Sequence, residues 1–202
     1  MCEQYISLAQ AIENRRSLYG IGRNVALSDD EIAGVISHCV KFAPTAYNSQ
    51  SGRAALLLRD AHEKLWDQTR ELYRNTLPRE IFEQLEPKFL GFRAGHGTVL
   101  FFEEQDAITD LQKRFPHIKD IFPIWSLESS GMLQYSIWVS LEEKGLGASL
   151  QHYNPVIDKM VFREWDIPGN WQLVAQMPFG SVEQQPDPKT FLPLEERVKI
   201  FK

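Results

Sequence analysis

The chain has 202 residues, 43% of them hydrophobic and 24% charged, a globular mixture that excludes disorder, collagen and coiled coil as readings. A formal charge of −5, with no basic run longer than two residues, argues against a nucleic-acid partner, whose phosphates need a basic surface. No apolar run approaches the roughly 20 residues of a membrane span, and the first residues lack the basic start and apolar stretch of an export signal. The expectation is one domain in the cytoplasm, with Cys2 and Cys39 as free thiols.

Tyr5, Leu8, Ala9 and Ile12 recur at helical spacing and predict a helix over 4–17, ending at Arg15-Arg16-Ser17. A loop with Gly20 and Gly22 follows. Ser28 and Glu31 form a capping box for a helix that presents Ile32, Val35, Ile36, Cys39 and Val40 on one face. That helix must stop near Ala43, because Pro44 disfavours a helical predecessor. Residues 53–59 read as a buried strand, 61–75 as a helix with Leu65, Trp66, Leu72 and Tyr73 as its stripe, and 79–90 as a short helix. A second buried strand spans 97–102, and 105–123 is expected to hold short helical pieces broken at Pro116 and Pro123. Residues 125–143 form the longest helical candidate, nearly uncharged until Glu142 and therefore buried on most sides, with Lys144-Gly145 as its stop. A short strand at 148–152, a helix at 155–165, a strand at 171–177 and a polar, proline-rich tail complete an α+β pattern.

Five scattered histidines and two distant cysteines show no metal-ligand spacing, and no phosphate-loop or nucleophile-elbow motif is present. Gly95-His96-Gly97 reads as a turn into a strand. Glu103-Glu104 and Glu195-Glu196 read as solvated faces or ends. Cys39 reads as a core residue rather than a nucleophile. Three polar clusters remain. Arg15, Arg16 and Ser17 supply the donors that a phosphate monoester needs, or are a surface pair at a helix end. The segment 43–51 carries Asn48 and Gln50, whose carboxamides suit the edge of a heterocycle, or is an ordinary turn-rich loop. The segment 145–154 opens with small residues that let backbone approach a ligand, and ends in Gln151, His152 and Tyr153; His152 alone reads as a partly buried, hydrogen-bonded residue.

In this order and at these distances the clusters resemble the FMN-dependent nitroreductase family, over essentially the whole chain. The family's Arg-Arg-Ser type motif matches Arg15-Arg16-Ser17, and its Pro-Ser-Ser-x-Asn-x-Gln-Pro loop matches Pro44-Thr45-Ala46-Tyr47-Asn48-Ser49-Gln50-Ser51. Its Gly-Leu-Gly segment matches Gly145-Leu146-Gly147, leading to Gln151-His152-Tyr153. Its Lys-x-Arg-x-Pro-Leu-Glu pattern matches 189–195, with Lys189 kept and Phe191 in place of the arginine. Ser49 to Arg53 and Leu150 to Asn154 look most like the short branch of fungal fatty-acid-repression and hydroxynitrobenzene-type proteins and their bacterial relatives.

The resemblance implies an α+β fold with a central, mostly antiparallel sheet surrounded by helices, and a long buried helix at a homodimer interface. It implies an FMN held by Arg15, Arg16, Ser17, Pro44, Thr45, Asn48, Gln50, Gln151, His152, Tyr153 and Lys189, the loop coming from the partner subunit. The chemistry would be carried by FMN without a dedicated catalytic residue: NAD(P)H reduces the flavin, and a small flat nitroaromatic or quinone-like acceptor then takes the electrons, a ping-pong scheme. A backbone N–H near His152 or Tyr153 is expected at the flavin N5. Trp66, Tyr73, Phe92, Phe115 and Trp125 are candidates for the acceptor side, each with core packing as the blander reading. A flavin sensor or store would use the same binding residues, and a packing domain that has lost its flavin is the third alternative.

Overall fold

A computed structural model describes residues 6–202. Cys2 and Tyr5 lie outside the described residues. The elements run α1 (Leu8–Asn14), β1 (Ile21–Gly22), α2 (Asp29–Phe42), β2 (Gly52–Leu58), α3 (Arg59–Thr76), α4 (Arg79–Arg93), β3 (Gly97–Glu104), α5 (Gln105–Arg114), α6 (Phe122–Glu143), β4 (Gly147–Ala148), α7 (Asp158–Glu164), β5 (Trp171–Val182) and α8 (Leu194–Arg197). The sheet order is β1-β5-β3-β2, with β4 also on β5, and every ladder is antiparallel. The fold is α+β, as the sequence implied.

β3 explains the layering. Its residues are buried from Gly97 to Glu103, and successive side chains of a strand point to opposite faces. Val99 and Phe101 join Ile32, Ile36, Leu133, Ile137, Leu141 and Met177 on the α2–α6 side. Leu100 and Phe102 join Leu65, Trp66, Phe82, Phe89 and Phe92 on the α3–α4 side. Helices therefore cover both faces of the sheet. β5 lies beside β3 and continues to Val182, beyond the end at Met177 that its apolar pattern predicts, because Ile21 and Gly22 pair with its last residues. Gly180 allows that pairing: a Cβ there would lie 2.1 Å from the Gly22 carbonyl oxygen.

Several sequence expectations hold at the level of single caps. Ser28 accepts from the Glu31 N–H while the Glu31 carboxylate accepts from the Ser28 N–H, and α2 ends at Ala43. At the other end of the chain's longest helix, Gly145 at φ +76° lets the Gly145 N–H reach the Glu142 carbonyl and the Leu146 N–H reach the Leu141 carbonyl. Gly95-His96-Gly97 is a turn into β3, with the His96 N–H on the Phe179 carbonyl at 2.8 Å. Cys39 is buried in the core.

Other expectations are corrected. Ser7 caps α1 with Gln10, so the helix begins at Leu8; Leu8 and Ile12 face outward, and Ala11 is the buried residue. β2 is half-buried rather than buried, because it is the terminal strand and pairs with β3 alone among the described residues. Pro123 does not break a helix; it sits in the first turn of α6, where a missing N–H costs nothing. The 148–152 strand is reduced to β4 and an isolated Gln151–Gln176 bridge, and α7 begins at Asp158 rather than Pro155.

The α3–α4 side contains one buried histidine. The Trp66 indole N–H donates to Thr98 Oγ1 at 2.9 Å, and that hydroxyl is 2.8 Å from His62 Nδ1, a geometry that suits a neutral ring. Burial pulls the His62 pKa down to about 4. In the unfolded chain His62 takes up its proton near pH 6.5, so unfolding binds a proton between those values and stability falls as pH drops from 6.5 to 4. The expected loss from this group is about 3 kcal/mol. Urea unfolding at pH 7.5 and pH 4.5 checks this, with His62→Gln expected to flatten the difference.

Candidate functional site

Helix α1 stops because Arg15 leaves helical geometry, φ −51° and ψ 119°, while its N–H still reaches the Ala11 carbonyl. The chain then runs beside β4: Ser17 bridges Ala148 in parallel, and the Leu18 N–H donates to the Ala148 carbonyl at 3.0 Å. This placement fans the basic side chains outward. The Arg15 guanidinium lies 4.3 Å over the Trp138 ring of α6, and Arg16 Nη2 donates to the Asp187 carbonyl at 2.7 Å. Lys189 returns from the tail to the same place, its ammonium 5.2 Å over the Phe191 ring. Phe191, which stands where the family pattern has an arginine, thus supports the remaining cation.

Arg15, Arg16, Ser17 and Lys189 line one cavity of about 520 Å³, together with Tyr19 and Gln184 to Asp187. Such a volume suits a cofactor. Asp187 is the one acidic residue on its wall, so the wall is net positive. A neighbouring cavity of about 590 Å³ shares Arg16 and Lys189 but adds Glu13 and Glu142, which makes the first the better seat for a dianion.

The loop 44–51 is built differently. Tyr47, Asn48 and Gln50 all adopt left-handed backbone, at φ 55°, 51° and 49°. Short-range bonds hold them there. Thr45 Oγ1 accepts the Gln50 N–H at 3.0 Å, and the Thr45 carbonyl accepts the Asn48 N–H at 3.0 Å. The Ala46 N–H donates to Ser129 Oγ of α6 at 3.3 Å. As a result the side chains of Asn48 and Gln50 are exposed and Tyr47 is half-exposed. Tyr47 packs against Phe115, Phe122 and Trp125, with its ring 25° from parallel to Trp125. Pro44, Thr45 and Tyr47 line a separate cavity of about 390 Å³ with Trp125, Glu128 and Met132.

Within one chain these two groups do not meet. The loop rests on α6 at Ser129, and Arg15 rests on α6 at Trp138, about 14 Å further along the axis at 1.5 Å per residue. The third cluster lies apart from both cavities. Gln151 pairs with Gln176 through both backbone bonds. The Tyr153 ring enters the core among Trp66, Tyr73, Phe89 and Phe92, where burial pushes its phenol well above the usual range. The Tyr153 N–H donates to Gln176 Oε1 at 2.7 Å, so that donor is already engaged. His152 is exposed rather than partly buried. Of the aromatic candidates, Trp66, Tyr73 and Phe92 belong to the Tyr153 core, while Phe115 and Trp125 stand beside the loop.

Glu103 is also placed against expectation. Glu103 is not solvated but 1% exposed at the end of β3, where Oε2 accepts from Ser51 Oγ at 2.6 Å and Ser126 Oγ at 2.5 Å. Burial pushes its carboxyl up, against the pull of the Ser126, Ser51 and Ser130 hydroxyls and the Arg53 charge. Glu104 caps α5 by accepting from the Asp106 and Ala107 N–H groups. The one hint of this in the sequence is that Glu103 continues the buried run 97–102.

Comparison with known proteins follows the same outline. The model of the Nitroreductase family matches residues 12–181. The chain is 30% identical over 184 residues to nitroreductase FRM2 of Saccharomyces cerevisiae, covering 90% of this chain and 91% of that protein. Nitroreductase CinD of Lactococcus lactis, solved in complex with chloramphenicol, superposes with a TM-score of 0.88 at 41% identity, over 97% of this chain and 100% of that one. A nitroreductase with bound FMN from Desulfitobacterium hafniense, 11% identical, shares the fold with a TM-score of 0.70 over 96% of this chain and 98% of that one.

The loop geometry yields a direct test. Thr45→Val removes the acceptor of the Gln50 N–H and is expected to cost about 1 kcal/mol, seen as a drop in Tm of about 2–4 °C in thermal denaturation.

Proposed function

The chain belongs to the nitroreductase family, and from that premise we propose that it is a homodimeric FMN-dependent oxidoreductase that uses NAD(P)H to reduce nitroaromatic or quinone-like acceptors. One observation carries the reading: the cationic cavity and the Asn48–Gln50 loop sit at different heights on α6, and the outer face of that helix is apolar and uncovered.

Ile124, Leu127, Gly131 and Tyr135 follow the spacing of one helical stripe, and the three large residues are 55%, 51% and 44% exposed. Gly131 leaves room for close approach, since a Cβ there would meet nothing within 4 Å. A second copy seated on this stripe covers it, and can bring its own loop to the first copy's cavity. Phe191, Leu192, Leu194, Ile200 and Phe201 of the tail are also exposed and add apolar surface for the same association. The dimer gives the site both of its halves.

The residues fit FMN. Arg16 and Lys189 hold the phosphate with charge-assisted bonds, Ser17 adds a hydroxyl and Arg15 adds charge from its seat on Trp138. From the partner, Asn48 and Gln50 offer carboxamides to the ring edge, on a loop that Pro44 and Thr45 hold. With the Tyr153 N–H engaged, that of His152 would be the donor left for the ring, while Gln151 and Tyr153 fix the segment through strand pairing and core packing. Bound there, FMN supplies two-electron chemistry in a ping-pong scheme between NAD(P)H and a flat acceptor. Phe115, Trp125 and Tyr47 present the aromatic wall on which such an acceptor would stack.

Absorption spectroscopy of the purified protein tests the reading. Flavin bands that bleach on anaerobic addition of NADH or NADPH, and return with a nitroaromatic, are the expected result. A holoprotein that neither nicotinamide bleaches is a flavin store or sensor instead. Arg16→Ala and Lys189→Ala are each expected to weaken FMN at least tenfold, in line with about 1.5–3 kcal/mol for a charged hydrogen bond. Leu127→Glu is expected to give a monomer on gel filtration that has lost FMN; a monomer that keeps FMN sinks the shared-site reading.

A further inference from the structure

We infer that Glu103 is the positioning residue of the 44–51 loop, clamping it to α6 from beneath the sheet edge. The inference rests on the reading that this loop reaches the flavin, and it assigns a task to a buried acid that the cofactor contacts leave unused.

The argument begins with cost. Three non-glycine residues in left-handed backbone cost of order 1 kcal/mol each or more, and persist only where surrounding structure over-determines them. The bonds from Thr45 close the loop on itself but do not tie it to the body of the protein. Two ties do. At the front, the Ala46 N–H reaches Ser129 of α6. At the back, Ser51 is fully buried, and its hydroxyl donates to Glu103 Oε2 at 2.6 Å. The same oxygen accepts from Ser126 of α6 at 2.5 Å, one turn before Ser129. Glu103 therefore joins the loop's end to the helix that carries its beginning. Ser49 Oγ lies 3.4 Å from Ser51 Oγ and extends the tie into the loop, toward Asn48 and Gln50. The Glu104 N–H on the Ser51 carbonyl, at 2.9 Å, fixes the backbone beside it.

The construction needs a long side chain that ends in a strong acceptor. Glu103 Oε1 is buried with no hydrogen-bond partner, over Gly52, where a Cβ would sit 3.7 Å from it. A purely structural bridge between two hydroxyls does not require a buried group with one oxygen left over. What a forked side chain with one strong acceptor adds is that two hydroxyl donors from different elements converge on a single atom, so moving either displaces the other. Glutamine can reproduce that acceptor with its amide oxygen; alanine and leucine cannot.

The experiment uses the full chain in wild-type form and as Glu103→Gln, Glu103→Ala, Ser51→Ala and the Glu103→Ala/Ser51→Ala double variant. Two readouts are taken: amide exchange of Asn48, Ser49 and Gln50 in the FMN-free protein, and FMN affinity by fluorescence titration. Glu103→Ala and Ser51→Ala are expected to speed exchange of these amides and to weaken FMN, each at least tenfold, with Glu103→Gln restoring both to within threefold of wild type. The double variant is expected to be no worse than the poorer single, because both remove one tie. Should Glu103→Ala not fold, Ser51→Ala and Ser126→Ala carry the same expectation. Loop exchange and FMN affinity within twofold of wild type in the alanine variants overturn the inference. Accelerated exchange in a protein whose wild-type form binds no FMN keeps the clamp and overturns the cofactor reading instead. Faster exchange with unchanged FMN affinity overturns the positioning role.

Discussion

A helix with apolar residues on opposite faces cannot be satisfied by one sheet, and α6 imposes that constraint on everything around it. Its inner face, through Leu133, Ile137 and Leu141, completes the core beneath β3 and β5. Its serines take up polar tasks that the flanking segments need: Ser126 toward Glu103, Ser129 toward Ala46. Its outer stripe of Ile124, Leu127 and Tyr135 is exposed among the described residues. Because α1 and the 44–51 loop are both fixed against this helix at different heights, the distance between them is set by the helix rise and not by loop flexibility. The spacing of the two groups thus follows from one rigid rod, and on the proposed reading an association that covered the rod would also assemble the site.

Elements whose ends are specified by local chemistry were legible in the sequence. Ser28 with Glu31, Pro44 after Ala43, and Gly145 after Lys144 each act within a few residues, so reading a short window suffices. The buried run at 97–102 was legible for a related reason: a strand covered on both faces is apolar without alternation, and its identity as the central strand comes with that. Where reading failed, a distant partner decided. Leu8 and Ile12 are at helical spacing, yet the face of α1 that meets α6 is the one bearing Ala11. Ile21 and Gly22 became a strand because the end of β5 lies alongside, which no local signal announces.

The candidate site shows the same division. The cations at 15 and 16 were legible as a basic pair at a helix end and Lys189 only through the family resemblance; their convergence on one cavity depends on β4 and the tail, which no local signal announces. For Gln151 to Tyr153 the residues were legible but their directions were not. Strand-like pairing with Gln176 turns the Tyr153 ring into the core, and only the tertiary contact reveals it. Glu103 was read as solvated because a glutamate after a strand usually is. Its burial arises from Ser51, Ser126 and Ser130, residues far apart in sequence whose small size and hydroxyls make a pocket for it.

β2 carries a consequence of its own. As the terminal strand it presents seven residues, mostly Ala and Leu, with an unpaired row of backbone donors and acceptors along its outer edge, and its one charge, Arg53, stands near one end. Such an edge is a template for another strand. If the chain pairs as proposed, two modes of encounter would be open to a newly made chain, helix stripe on stripe or edge on edge. A pair closed on the helix stripe would be complete after one encounter, whereas edge-to-edge growth needs repeated additions, so dilution would favour the closed pair over the aggregate.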